Sequence, residues 1–431
     1  MAVPDPSIPV IVPLSEVARV FTAHESAIAD QAADASPDEA LALAAIGLTL
    51  KSIQASPPEE ESSRVMVTKQ NGPVSRLQSL IASGEGGSLE LSEIPQGGLE
   101  AKFDSHDFLG WASVAWARIR NPTNHPLLQA ASTPEPFPNT GRVAIVGDWG
   151  TGLYGSPVLA QHIAADPDPY AMLLHLGDVY YAGTRTEVEN RFLNVWPDRP
   201  EAINRSLNSN HEMYSGGHPY FEDTLPRFGQ KASYFAHQND HWILVGLDVA
   251  YKDHDIDGAQ VAWLQGIVNA AGNRRIILFS HHQLFSHYEK QGTKLWGHQA
   301  FRNILQSGKI FMWCWGHEHR CCIYDVRHPE TGIWTRCIGH GGMPESRKKT
   351  KNLGTAPGAG HADWRRANAA IVDGTPVPQA LVLEGPNPFL GNEADKFLPH
   401  GYAVLNFDGP ALTEQVLDPE GKVIYEKQLA P

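Results

Sequence analysis

The chain has 431 residues, room for one large domain and an accessory region. Hydrophobic residues make up 42% and charged residues 19%, which excludes a chain disordered throughout. With 34 basic against 48 acidic residues the net charge is −14, which argues against nucleic acid or an anionic membrane as a partner held by the overall field.

The first 35 residues are marked by proline and then by Ala and Asp, with no basic region before their short apolar stretch. No secretory signal is therefore expected. Ser36-Pro37-Asp38-Glu39 opens a helix with a capping box and a proline at its first position. That helix is expected to reach about residue 55, before Pro57-Pro58. Glycine clusters at 84–87 and 97–98 mark loops, and 108–120 has the spacing of a second amphipathic helix. The stretch 121–141 is rich in Pro, Asn and Thr and reads as a linker. The expected division is a mainly helical accessory region over 1–140 and a second unit over 141–431.

After residue 141, short apolar runs of buried-strand length recur at 143–146, 172–176, 242–247, 275–279 and 309–315. Segments with helical spacing lie between them at 156–165, 186–195, 258–271 and 297–307. The alternation predicts α/β organisation. Each run ends in Asp or His. The endings are Gly147-Asp148, Gly177-Asp178, Asp248, His281-His282 and Gly316-His317-Glu318-His319. Functional groups of α/β sheets gather beyond the carboxyl ends of strands, so these endings predict one site built by convergence. No run approaches the roughly 18 apolar residues of a membrane helix.

Asp148, Asp178, Asn210, His281, His317 and His319 offer carboxylate oxygen, amide oxygen and imidazole nitrogen. That mixture suits zinc, manganese, iron or cobalt better than calcium. Six ligands exceed one tetrahedral site. Two ions sharing a carboxylate would use them all, and such a pair clamps a phosphoryl group during displacement.

The set resembles the calcineurin-like metallophosphoesterase superfamily. The matching blocks are Gly147-Asp148-Trp149-Gly150, Gly177-Asp178-Val179-Tyr180-Tyr181, Ser209-Asn210-His211-Glu212, His281 and Gly316-His317-Glu318-His319, all in order. Gly150, where many members have a ligand histidine, together with Tyr181 looks like the purple acid phosphatase branch. Ser209 departs from the usual glycine. The strand-rich domain that precedes the catalytic domain in large plant members has no counterpart in 1–140. The resemblance covers 141–342 and extends plausibly to 429.

The resemblance implies an α+β fold, a two-sheet β-sandwich flanked by helices. Segments 401–409 and 422–429 would add strands, with a turn near Pro419-Glu420-Gly421. It implies two metal ions, iron with zinc, manganese or a second iron. Asp148, Asp178, Tyr181 and His319 would hold one, and Asp178, Asn210, His281 and His317 the other. A metal-bound hydroxide would attack phosphorus in line, His211 would protonate the leaving oxygen, and Glu212 would orient it. His282 is a candidate for touching substrate. The expected activity is hydrolysis of phosphate monoesters. A phosphodiesterase at the same site is the rival enzyme, and a binding protein on this fold would be the rival without activity. The expected partner is a small phosphate ester.

Other features have plainer readings. Asp248, His218, His287 and His340 are outer candidates near the motifs. The cysteines at 314, 321, 322 and 337 fit no zinc-site spacing and read as reduced, buried thiols of a cytoplasmic protein. The stretch 346–366 holds six basic residues and one acid, either a solvated loop or a loop that recruits phosphate.

Overall fold

The structure is a computed structural model that describes residues 123–356 and 363–431, with the short segments 10–11, 75–76, 78–79, 89–93 and 99–103. It is mixed α/β, with two large sheets flanked by helices, consistent with the metallophosphoesterase fold.

The strands of residues 123–431 that build the two sheets are, in chain order, β1 (Glu135–Pro136), β2 (Thr140–Val146), β3 (Met172–His175), β4 (Ile203–Ser206), β5 (Phe235–Gln238), β6 (Trp242–Gly246), β7 (Arg275–Ser280) and β8 (Ile310–Trp315). They continue with β9 (Cys321–Tyr324), β10 (Trp334–Ile338), β11 (Gly354–Thr355), β12 (Asp363–Ala367), β13 (Ala380–Glu384), β14 (Tyr402–Asp408), β15 (Ala411–Leu417) and β16 (Val423–Ala430). The six-stranded sheet runs β16-β15-β14-β2-β3-β4, and the ten-stranded sheet runs β11-β12-β13-β9-β10-β8-β7-β6-β5-β1. β2, β3 and β4 are parallel, and so are β6, β7, β8 and β10. β2, β3, β6, β7 and β8 are the expected apolar runs, and β4 and β10 lie outside them. The helices that matter below are α1 (Ser156–Ala165), α2 (Asn210–Met213), α3 (Gly258–Ala270) and α4 (Gln299–Leu305).

The unbroken apolar runs reflect burial on both faces, since neighbouring strand residues point to opposite sides. In β7, Ile277 and Phe279 join Val143, Ile145, Leu244 and Leu405 between the two sheets. Ile276 and Leu278 face the other way, onto Leu264 and Ile267 of α3 and Ile304 of α4. In β2, Ala144 and Val146 meet Leu159 and Ile163 of α1. The order of layers is therefore helix, sheet, sheet, helix.

Some elements were not anticipated. β15 lies between the two expected C-terminal strands, and the turn near Gly421 joins β15 to β16, with Gly421 N–H donating to Asp418. Within 1–122, the segments Val10–Ile11, Leu89–Glu93 and Leu99–Phe103 form a three-stranded sheet, at positions for which the sequence suggested neither strand nor helix. The helices expected from 36 and over 108–120 lie outside the described residues. Among the described residues, no helix is long and apolar enough to cross a membrane. All four cysteines are free and buried.

Candidate metal centre

The loops after β2, β3, β4, β7 and β8 meet at one end of the two sheets. Asp148 sits two residues past the end of β2 and Asp178 three past the end of β3, and their loops are stitched by Asp148 N–H to Gly177 O (3.0 Å) and Gly150 N–H to Asp178 O (2.9 Å). The His317 loop is tied to its neighbour by Gly316 N–H to His281 O at 3.0 Å. Gly316 has a steric reason: a Cβ there would lie 2.7 Å from Asp148 Oδ2. Asp148, Asp178, His317 and His319 all adopt left-handed backbone, with φ of 58°, 76°, 68° and 51°. Such conformations cost on the order of 1–3 kcal/mol each and persist where the surrounding structure imposes them.

Two interlocking groups result. The possible ligand atoms of Asp148, Asp178 and His319 lie within 4.8 Å of one another, and so do those of Asp178, His281 and His317. His319 Nε2 is 3.6 Å from both Asp148 Oδ1 and Asp178 Oδ2. All of these side chains are buried.

The second group shows why a cation fits. His281 Nδ1 is 2.8 Å from Leu176 O. A carbonyl only accepts, so Nδ1 carries the proton and neutral Nε2 presents a lone pair. That Nε2 faces Asp178 Oδ1 (3.2 Å), Asn210 Oδ1 (3.1 Å) and His317 Nδ1 (3.2 Å). Asn210 Nδ2 donates to the Tyr214 hydroxyl at 2.9 Å, which turns its oxygen inward. Oxygen and nitrogen lone pairs thus converge on one small space, and a second proton on His281 could satisfy only one of its three neighbours. Burial opposes that proton, yet Asp178, Glu212 and the Leu176 carbonyl together raise the His281 pKa. The donor set of imidazole, carboxylate and amide oxygen fits a borderline transition metal ion.

Ser209, the departure from the motif, takes up a role of its own. Its φ of −132° is open to any residue, and its hydroxyl caps α2 by accepting from His211 N–H. The same hydroxyl donates to Asp178 Oδ1 at 2.6 Å and also touches the Glu212 carboxyl. Burial, with Asp178 nearby, pushes the Glu212 pKa up to about 7. A protonated Glu212 can donate to Ser209 while Ser209 donates to Asp178.

His211 is held on two sides. Its Nδ1 donates to Tyr181 O at 2.6 Å, and its ring stacks on Tyr180 with centroids 3.8 Å apart. The two tyrosines divide unexpectedly. The Tyr180 hydroxyl lies 2.9 Å from His319 Nε2, beside the first group. The Tyr181 ring lies over the Arg191 guanidinium, 5.5 Å from it, while its N–H donates to Glu187. Sequence spacing singled out Tyr181; the Tyr180 hydroxyl is a second phenol beside the first group. Sequence reasoning missed the support of the His317 loop: Glu318 is buried, accepting from Trp315 Nε1 (3.0 Å) and the Ser286 hydroxyl (2.5 Å).

The outer candidates lie outside both groups. Asp248 accepts from Asn208 Nδ2 and from the N–H groups of Ala250 and Tyr251, which makes it a turn aspartate. His218 pairs with Glu222 on the surface, His287 with Pro378 O, and His340 is buried against Gly401. In the basic stretch, Arg347 pairs with Glu384, Arg365 with Asp363 and Arg366 with Asp325, so much of its charge is neutralised locally. Residues 357–362 of that stretch lie outside the described residues.

Residues 141–321 match the family model described as calcineurin-like phosphoesterase. That span holds every loop of the two groups. No curated protein matches the chain. Among solved structures, the chain is similar to PhoD, at 12% identity over 70% of each chain and a TM-score of 0.38. It is also similar to a conserved uncharacterized protein, a predicted phosphoesterase, of Streptococcus pneumoniae TIGR4. That likeness has 9% identity, 68% of this chain, 98% of that one and a TM-score of 0.31.

Proposed function

We propose that the calcineurin-like segment and the strands that complete its sheets form a two-metal phosphoesterase of the purple acid phosphatase-like branch, hydrolysing phosphate monoesters. The observation that carries this is Asp178, which belongs to both ligand groups and so can bridge two cations. Asp148, Asp178 and His319 would hold one ion, with a tyrosine phenol, and Asp178, Asn210, His281 and His317 the other. Iron paired with zinc, manganese or iron suits these donors. Two bound cations supply an activated water and neutralise the charge that develops on a transferring phosphoryl group. Residues 1–140 are an accessory region in this reading, with the boundary near residue 141.

The chain's own groups do the rest. His211 Nδ1 is committed to Tyr181 O, so Nε2 is the atom that delivers a proton to the leaving oxygen. Tyr180 keeps the imidazole plane fixed by stacking. Glu212 acts through Ser209 on Asp178, and His282 lies against His317, with ring centroids 4.6 Å apart, as a candidate for touching substrate. A panel of phosphate monoesters and diesters, offered to protein with two metals per chain, tests the reading. Hydrolysis of monoesters above diesters is expected, and turnover of neither would end it.

His211→Ala should keep both metals and lower kcat by roughly 10²–10⁴-fold, most for esters with poor leaving groups. Metal analysis alongside a leaving-group series checks this. For the phenol ligand, Tyr180→Phe and Tyr181→Phe should differ in iron-loaded protein. We expect the tyrosinate-to-ferric absorption to vanish in Tyr181→Phe, the motif position, while its loss in Tyr180→Phe instead would give the ligand role to the phenol beside His319.

A further inference from the structure

A third group of side chains lies beside the two already described. His254, His282 and His317 bring possible ligand atoms within 4.8 Å of one another. Their rings are in contact, with centroids 3.7 Å apart for His254 and His282, 4.6 Å for His282 and His317, and 5.4 Å for His254 and His317. We propose that His254 and His282, together with His317, form a further cation site, selective for a zinc-like ion bound through imidazole nitrogen.

His282 poses the question that an ion answers. It is fully buried, and neither Nδ1 nor Nε2 has a hydrogen-bond partner. A buried imidazole left so carries one unmatched donor and one unmatched acceptor, an unfavourable arrangement away from water. A cation on one nitrogen removes much of that cost.

His254 is prepared as a ligand. Its Nδ1 lies 2.9 Å from Asp253 Oδ1. A carboxylate only accepts, so Nδ1 bears the proton and Nε2 the lone pair. This carboxylate–histidine pairing commonly orients a metal-binding imidazole. Asp253 is itself anchored by Lys294 Nζ, at 3.2 Å from Oδ2 and 2.8 Å from its carbonyl. Both residues adopt left-handed backbone, with φ of 51° for Asp253 and 63° for His254. The His254 side chain is 33% exposed, which gives an ion a way in from solvent.

The donors decide the ion. Three imidazole nitrogens without a bound carboxylate favour zinc over the harder ions suited to the Asp-rich groups. Tetrahedral zinc with Zn–N of about 2.0–2.1 Å sets nitrogens roughly 3.4 Å apart. The group therefore has to tighten by little over an ångström, a movement within reach of the half-exposed His254. His317 presents Nδ1 to His281, so for one ring to serve both groups it has to give up its remaining N–H proton to solvent and bind through both nitrogens as an imidazolate. The inference rests on the two-metal reading only through that shared ring.

Zinc uptake by the full chain tests it. Metal-free protein is equilibrated against buffered zinc and the bound metal counted, for wild type, His254→Ala, His254→Gln, Asp253→Asn and Asp178→Asn. Wild type should hold one zinc more per chain than either His254 variant. Asp253→Asn should shift that step alone to roughly 10–100-fold higher free zinc. Asp178→Asn should keep the His254-dependent step. Identical isotherms for wild type and both His254 variants would overturn the site. Unchanged uptake in Asp178→Asn would instead strike the two-metal reading and leave the His254 step standing.

Discussion

Asp178→Asn is expected to lower kcat/KM by at least about 10³-fold and to remove one metal ion or both, with the fold retained. Three observations set this expectation. The carboxylate contributes Oδ1 to the group around His281 and Oδ2 to the group around His319, so no other residue can replace it in both. An amide presents one oxygen instead of two, and its nitrogen would point a proton where a cation should sit. The loss of a shared anion also leaves two cations 3.5–4 Å apart, as two-metal sites hold them, without a bridge to screen their repulsion. The loop should survive, because Gly150 N–H bonds to the Asp178 backbone carbonyl and not to its side chain. Metal content per chain, measured beside phosphomonoester turnover, checks both halves. Full metal content with lost activity would move Asp178 from holding ions to another role.

The residues of the site were legible in the sequence because each follows a recognisable element. Five unbroken apolar runs are parallel strands buried on both faces, and a glycine and an acid or histidine after such a run can only lie at the sheet's carboxyl edge. What was not legible depends on backbone direction within a loop. Tyr180 and Tyr181 are neighbours with the same side chain, and only the path of the chain decides which hydroxyl meets His319. Spacing could not find His254 either. It comes from the loop after β6, far in sequence from His282 and His317, and reaches them only through the fold. The one available signal was the doublet His281-His282, whose second member has no hydrogen-bond partner among the described residues and packs on His254. β15 escaped notice for a related reason: Ala411–Leu417 carries Thr, Glu and Gln among its apolar residues.

That same strand sets the largest expected effect on stability. Glu414→Ala should destabilise the protein by about 3–5 kcal/mol. Along β15, Leu412, Glu414 and Val416 share one face, and Leu412 and Val416 belong to the core between the sheets. Glu414 therefore places a carboxylate in that core, where it meets Arg336 of β10 in the opposite sheet. Arg336 Nε donates to Glu414 Oε2 at 2.7 Å, with Nη2 on the other oxygen. Nη1 donates to the carbonyls of Tyr324 and Thr335, so the guanidinium is bonded on all sides while fully buried. Removing only the glutamate strands a cation in an apolar sandwich with two donors unmatched. The loss is a large fraction of the roughly 5–15 kcal/mol that typically holds a native protein folded. Replacing both partners by apolar residues of similar size should cost far less, because the desolvation of two charges disappears with them. Denaturant unfolding of Glu414→Ala, Arg336→Met and Arg336→Met/Glu414→Leu separates the cases. A double variant as unstable as Glu414→Ala would mean that the pair's geometry, and not its charge, joins the two sheets.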